Sequence, residues 1–170
     1  PRNLGVHDFP VEAGLFLGLI LHIADGLLLW KQNRDARPVN YVYSKPEKNS
    51  TWYSRSMALL GTLILLFLII HLYDFWAPNR FNYITTGEEK DLFQMMQERF
   101  SSLPIVVLYC AGCFSLFWHL LHGFKSAFQS LVLNHAKYNK AIEITGIAFT
   151  VIVSVAFALM PISMYFNLVH

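Results

Sequence analysis

The chain has 170 residues, 55% of them apolar and only 14% charged, with a formal net charge of +2. Soluble domains carry about 25% charged residues, so an ordinary soluble domain is excluded, and without a basic patch nothing points to nucleic acid as a partner. Two cysteines are too few for iron–sulfur clusters, and there is no flavin or dinucleotide motif.

Residues 1–10 form a polar lead-in, with Pro10 placed where a helix can begin. The apolar segment Val11–Trp30 has about the 20 residues a spanning helix needs, and it predicts a helix over 11–31 carrying His22 and Asp25. It is too long for the core of a signal peptide and lacks a basic lead. The chain opens on Pro1 rather than Met, and further sequence upstream is expected. A polar loop, 31–55, holds Lys31, Arg34, Arg37, Lys45, Lys48 and Arg55. Met57–Trp76 predicts a second helix over 56–77, with His71 and Asp74 near its end and Pro78 as its stop. The polar stretch 79–101 contains Glu88, Glu89, Asp91 and Glu98, and its run LFQMMQERF reads as a short interfacial helix.

The third apolar segment, Leu103–Phe124, predicts a helix over 103–134 that outruns the membrane, since Lys125, Ser126, Gln129 and Ser130 are polar. Cys110 and Cys113 stand at i and i+3 within it. Such a pair can signal redox chemistry or half of a metal site. Beside Ala111 and Gly112, with no second pair in the chain, small packing residues are the preferred reading. A tight turn, NHAKYNK, leads to a fourth helix over 140–168, with a kink expected at Pro161. The expected fold is therefore an all-α polytopic transmembrane bundle with four spanning helices.

Orientation follows from the Lys and Arg residues. The loop between the first two helices has six, and the side joining the last two has Lys125, Lys137 and Lys140. The opposite side has Arg2, Arg80, Lys90 and Arg99, diluted by acids. The first and third loops are expected to face the cytoplasm. His22 then lies about 12 residues and His119 about 16 residues from the outer ends of their helices, roughly 18–24 Å deep. His71, about six residues before the outer end of its helix, is roughly 9 Å deep.

Ionisable side chains at such depth are costly and mark function by default. Neutral imidazole is an axial ligand for b-type haem, and His22 and His119 match in depth. His119 and His122 share one helix face, so only one of them can ligate a haem held between helices. The competing reading is that both histidines hydrogen-bond between helices. Gly123 removes bulk where a flat macrocycle would press. His22 and His71 each have an aspartate at i+3, Asp25 and Asp74. Either one could orient its imidazole, pair with a base or accept a proton, and Asp74 could simply be solvated. Asp25 is expected to reach toward the Lys31–Arg37 cluster. That cluster is a cytoplasmic flank whatever else it does, and its Lys31 and Arg37, with His122, Gly123 and Ser126, are candidates for haem propionates or edges. Near the outer surface Asp74, Glu12 and His7 are candidates for quinone protons.

The stretches LHIADGLLLWKQNRDARPVNY, YSRSMALLGTLILLFLIIHLYDFW and FWHLLHGFKSAFQSLVLNH together resemble the cytochrome b membrane-anchor subunit of succinate:quinone oxidoreductase (succinate dehydrogenase or fumarate reductase), in its single-polypeptide di-haem form. The likeness extends over nearly the whole chain. It implies that His22 and His119 bind the proximal haem b, and that His71 is one ligand of a distal haem b. The distal partner would be a histidine on a preceding helix, so this chain would supply the last four of five helices, and an upstream segment or a separate chain would supply the remaining ligand. The resemblance also implies a bacterial cytoplasmic membrane, iron–sulfur and flavoprotein partner subunits, and a quinone of the menaquinone type. The chain would be an electron-transfer subunit of the respiratory chain and tricarboxylic acid cycle, with no succinate site of its own. Some members carry a glutamate two residues before the histidine matching His119, linked to transmembrane proton transfer. Phe117 stands there in this chain, so that route is not implied. Two alternatives stay open: the di-haem anchor of another respiratory dehydrogenase, and a haem-free membrane scaffold subunit.

Overall fold

A bilayer core offers the backbone no hydrogen-bond partners, so long apolar segments close their own bonds as helices. The computed structural model describes residues 4–36, 52–133 and 135–169, with the side chains of 4–9 and of Tyr53 excepted. The elements in order are α1 (Leu4–Asp35), α2 (Trp52–Arg55), α3 (Met57–His71), a π-helical turn (Leu72–Trp76), α4 (Ala77–Thr86), α5 (Leu92–Arg99), α6 (Leu103–Ser130) and α7 (Asn139–Tyr165). Among the described residues four stretches are long and apolar enough to cross a membrane: Pro10–Asp35, Met57–Thr86, Leu103–Ser130 and Asn139–Tyr165. The chain is an all-α, multi-pass membrane protein, and no strand occurs among the described residues.

By contacts the chain divides into two units, Pro1–Ser50 and Thr51–His170. Among the described residues the first unit is α1 and Ala36, and the α1 side chains Leu15, Leu17, Ile20, Leu21, Leu27 and Leu28 are exposed. Its helix is longer than the expected 11–31, and Pro10 lies inside it rather than at its start. The apolar span nevertheless begins at Pro10.

The second unit packs α3, α6 and α7 through notches. A Cβ at Gly112 would meet the Phe67 ring at 2.6 Å, and one at Gly146 would meet Phe124 at the same distance. Both glycines are therefore seats for aromatic rings, close approach being what small residues contribute between membrane helices. Gly146, Thr150 and Ser154 are buried at one-turn intervals along α7. The main apolar core lies at the other end of the unit. There Phe100, Val106 and Tyr109 are buried among Phe67, Ile70, Phe75, Met96 and Ile162.

Pro78 was expected to stop the second helix, and it does not. The helix passes through the π-helical turn and on to Thr86, where Gly87 closes it with a φ of 77°. Proline in an α-helix clashes with the carbonyl four residues earlier and leaves it unbonded. Here the preceding turn is widened, with the Ala77 N–H donating to Leu72 O, and this relaxes the crowding where it would fall. Beyond Pro78 the chain doubles back tightly. Asn82 Nδ2 donates to Glu88 O at 2.8 Å, and the Lys90 N–H donates to Asn79 Oδ1 at 2.7 Å. Asp91 then caps α5 by accepting from Phe93 N and Gln94 N, so LFQMMQER is a helix as expected.

α6 ends at Ser130, short of the expected 134. The Val132 and Leu133 N–H groups fold back onto Gln129 O and Phe128 O, with Val132 left-handed at φ 57°. Asn134 and residues 37–51 lie outside the described residues. α7 covers 139–165, and Pro161 is buried inside it.

The hydroxyls of Thr150 and Ser154 are buried and have no hydrogen-bond partner among the described residues. A buried unsatisfied polar group costs about 1–3 kcal/mol. Thr150→Val, which keeps the shape and removes the hydroxyl, should therefore stabilise the protein by about 1 kcal/mol. Thermal unfolding in detergent micelles checks this, and a lower midpoint would contradict it.

Candidate functional site

α3 and α6 run antiparallel, and their register places the histidines. At one level Gly61 of α3 faces the His119 ring, where an added Cβ would lie 3.7 Å from Cε1, ordinary contact. Further along, the Phe67 ring seats on Gly112. At the far level the His71 ring lies 6.1 Å from the Tyr109 ring, centroid to centroid. Counted along either helix, from Gly61 to His71 or from His119 to Tyr109, the two levels are about ten residues, or roughly 15 Å, apart. His71 and His119 thus belong to separate sites.

His71 is the last residue of α3, immediately before the π-helical turn, a feature that often marks function. Its ring stands among Phe67 at 6.1 Å, Phe75 at 5.5 Å and Tyr109, while the residue as a whole stays exposed. Asp74, within the turn, is not solvated. Its side chain is 2% exposed, and one oxygen, Oδ2, accepts from Arg99 Nε and from Tyr109 Oη, each at 2.8 Å. Neither Arg99 nor Tyr109 stood out in the sequence. The available signals were a phenol inside an apolar span and a base closing an acidic stretch.

His119 and His122 are half-buried on α6, with Gly123 and Ser126 on the same face at i+4 and i+7 from His119. A Cβ at Gly123 would meet nothing within 4 Å. Trp52 of α2 packs edge-on against the neighbouring Trp118, with centroids 5.8 Å apart. On α1, His22 is exposed, and Gly18 and Gly26, one turn to either side of it, also face open space. Asp25 and Lys31 are exposed, and Arg34 lies over the Trp30 ring at 5.5 Å. Glu12 is half-buried, whereas Arg37 and the His7 side chain lie outside the described residues.

A porphyrin is flat, fills four equatorial positions of its iron, and asks each helix for one axial imidazole with little bulk beside it. His22 between two glycines and His119 beside Gly123 fit that demand, whereas His71 is exposed but has aromatic rings beside it. Among the described residues no three His, Cys, Asp or Glu side chains gather as a bare metal ion would require. Cys110 and Cys113 are free thiols, Cys113 buried in the packing.

No known protein family, curated protein or solved structure matches this chain.

The seat at Gly112 links packing to the site, because Phe67 touches both Gly112 and the His71 surroundings. Gly112→Ala should displace that ring and destabilise the protein by about 1–3 kcal/mol. Gly61→Ala, with only ordinary contact to absorb, should be near neutral. Paired unfolding measurements check the difference, and equal effects would contradict it.

Proposed function

We propose that the chain is a haem b membrane anchor of a succinate dehydrogenase or fumarate reductase complex, passing electrons between a cytoplasmic iron–sulfur subunit and membrane quinone. The observation that carries the reading is the separation of His71 from His119 by roughly 15 Å along one helix pair. Two levels would suit two haems, with glycines beside His22 and His119 and an exposed imidazole at His71. His119 and His22 are assigned to one haem on their matching depth in the sequence, with His71 assigned to the other opposite a ligand from outside these residues. A b-type haem supplies reversible one-electron chemistry, which suits exchange between a one-electron cluster and a two-electron quinone. The protein's part would be to orient each imidazole, and at His71 the rings of Phe67, Phe75 and Tyr109 would do so. Haem placement at two depths divides the membrane crossing into shorter steps.

On this reading the membrane is a bacterial cytoplasmic membrane, and the end carrying Lys125, Lys137 and Lys140 is cytoplasmic. The partners are an iron–sulfur subunit, held there beside a flavoprotein subunit, and the quinone is of the menaquinone type. Lys31 and Ser126 are assigned to haem propionates or edges, with Arg37 beside them in the sequence. Glu12 and His7 are assigned to quinone protons at the other face.

Redox titration of the intact complex tests the assignment. Two low-spin haem components are expected. His22→Ala or His119→Ala should abolish one and leave the other, and His71→Ala should abolish only the second. A haem-replete membrane preparation without a Soret band would refute the reading, as would a low-spin inner haem surviving in either of the first two variants. His122 would then be the next ligand to substitute.

The docking face is open to a separate measurement. Loop 31–55 and the 133–140 turn should resist protease in the assembled complex. In the anchor alone they should be cut from the cytoplasmic side, and equal cleavage in both states would refute the docking assignment.

A further inference from the structure

Asp74 gathers three separate elements on a single oxygen. Its backbone is the middle of the π-helical turn, Arg99 is the last residue of α5, and Tyr109 lies in the second turn of α6. The carboxylate is buried, whereas the Arg99 side chain is 38% exposed. The carboxylate is thus the fixed point, and the base reaches in to it. Among the described residues the hydrogen bonds of Asp74 go to Arg99 and Tyr109, and none goes to His71 three residues earlier. Of the roles open to an aspartate at that spacing, pairing with a base is the one seen here.

An indirect route to His71 is built from rings. Tyr109 is 4% exposed and stands edge-on to Phe67 at 5.0 Å, Phe100 at 4.9 Å and Phe75 at 6.2 Å. Phe67, Phe75 and Tyr109 are also the three rings around His71. Phe75 follows Asp74 within the π-helical turn, so the bond that holds Asp74 also holds Phe75. One wall of the His71 site is therefore set by the Tyr109 hydroxyl and another by the pinned turn. Both walls depend on the same oxygen atom, and Arg99 completes the neutral pair that lets a carboxylate stay buried there.

We infer that Asp74, Arg99 and Tyr109 are positioning residues for His71, with Asp74 and Arg99 acting on the imidazole of the outer ligand through the Tyr109 and Phe75 rings. The inference rests on the reading of His71 as a haem ligand. The axial imidazole plane sets the low-spin EPR signature and tunes the midpoint potential, so loss of the anchor should be read at one haem only.

The test uses the intact complex in its membrane, with Asp74→Asn, Arg99→Gln and Tyr109→Phe compared with His71→Ala. Tyr109→Phe is the gentlest, since it keeps the ring and deletes only the hydroxyl. In this variant the outer haem should remain at full occupancy with a shifted low-spin signal and midpoint, and the inner haem should be unchanged. Arg99→Lys, which restores the charge, should return the Arg99→Gln signal part of the way. An outer signal identical to wild type in Tyr109→Phe and Asp74→Asn would overturn the inference, and so would an equal shift of both haems.

A second readout needs no haem. Carbethoxylation of His71, followed by mass spectrometry in haem-depleted membranes, should run several-fold faster in Tyr109→Phe than in wild type. An unchanged rate would overturn the positioning role. If His71→Ala leaves both haem signals intact, the ligand assignment fails by itself, and the labelling rate still decides whether the anchor holds the ring.

Discussion

Close approach at two glycines sets the register of the second unit, and its other features follow from that register. Phe67 can seat on Gly112 only if α3 and α6 lie near enough for a side chain to fill the space of a missing one. The same holds for Phe124 on Gly146 between α6 and α7. Lipid tails are as apolar as leucine, so burial of apolar surface cannot choose among the ways of sliding these helices. Shape can. Once Phe67 is seated, Gly61 comes level with His119 and His71 comes level with Tyr109, and the two histidines are held apart.

The polar groups divide according to whether they found partners. Asp74 and Arg99 neutralise one another where the apolar span gives way to the polar α4, and Tyr109 gives the carboxylate a second donor. Thr150 and Ser154 are buried without partners among the described residues, and they are tolerated because each is small and fits the α7 packing face. A charge could not be placed so casually, since desolvating an unpaired carboxylate costs far more than desolvating a hydroxyl. The π-helical turn belongs to the same arrangement. By widening the helix ahead of Pro78 it lets the helix continue, and it carries Asp74 to where Arg99 and Tyr109 can both reach one oxygen.

Much was legible in the amino-acid order by itself. Four spans could be counted because roughly 20 apolar residues in a row have no stable alternative to a helix in lipid. The α5 helix could be read from the run LFQMMQERF, a local pattern needing nothing distant, and the structure adds its Asp91 cap. The histidines stood out because an ionisable group within an apolar run is conspicuous without any structure. The separation of His71 from His119 could be estimated from helical rise, which is uniform.

Tertiary structure decided what depends on neighbours. Pro78 looked like a stop because proline opposes an ordinary helical turn, and whether the preceding turn widens is not written at Pro78 itself. For Asp74 the sequence left solvation and pairing with a base both open, and Arg99 and Tyr109, 25 and 35 residues further on, bind its carboxylate. Tyr109 passed as one more aromatic in a span until the fold placed its hydroxyl on that carboxylate. Periodicity and hydropathy are sums over adjacent residues, so they report what each helix is. A hydrogen bond between helices depends on register, and register is set by which ring finds which glycine.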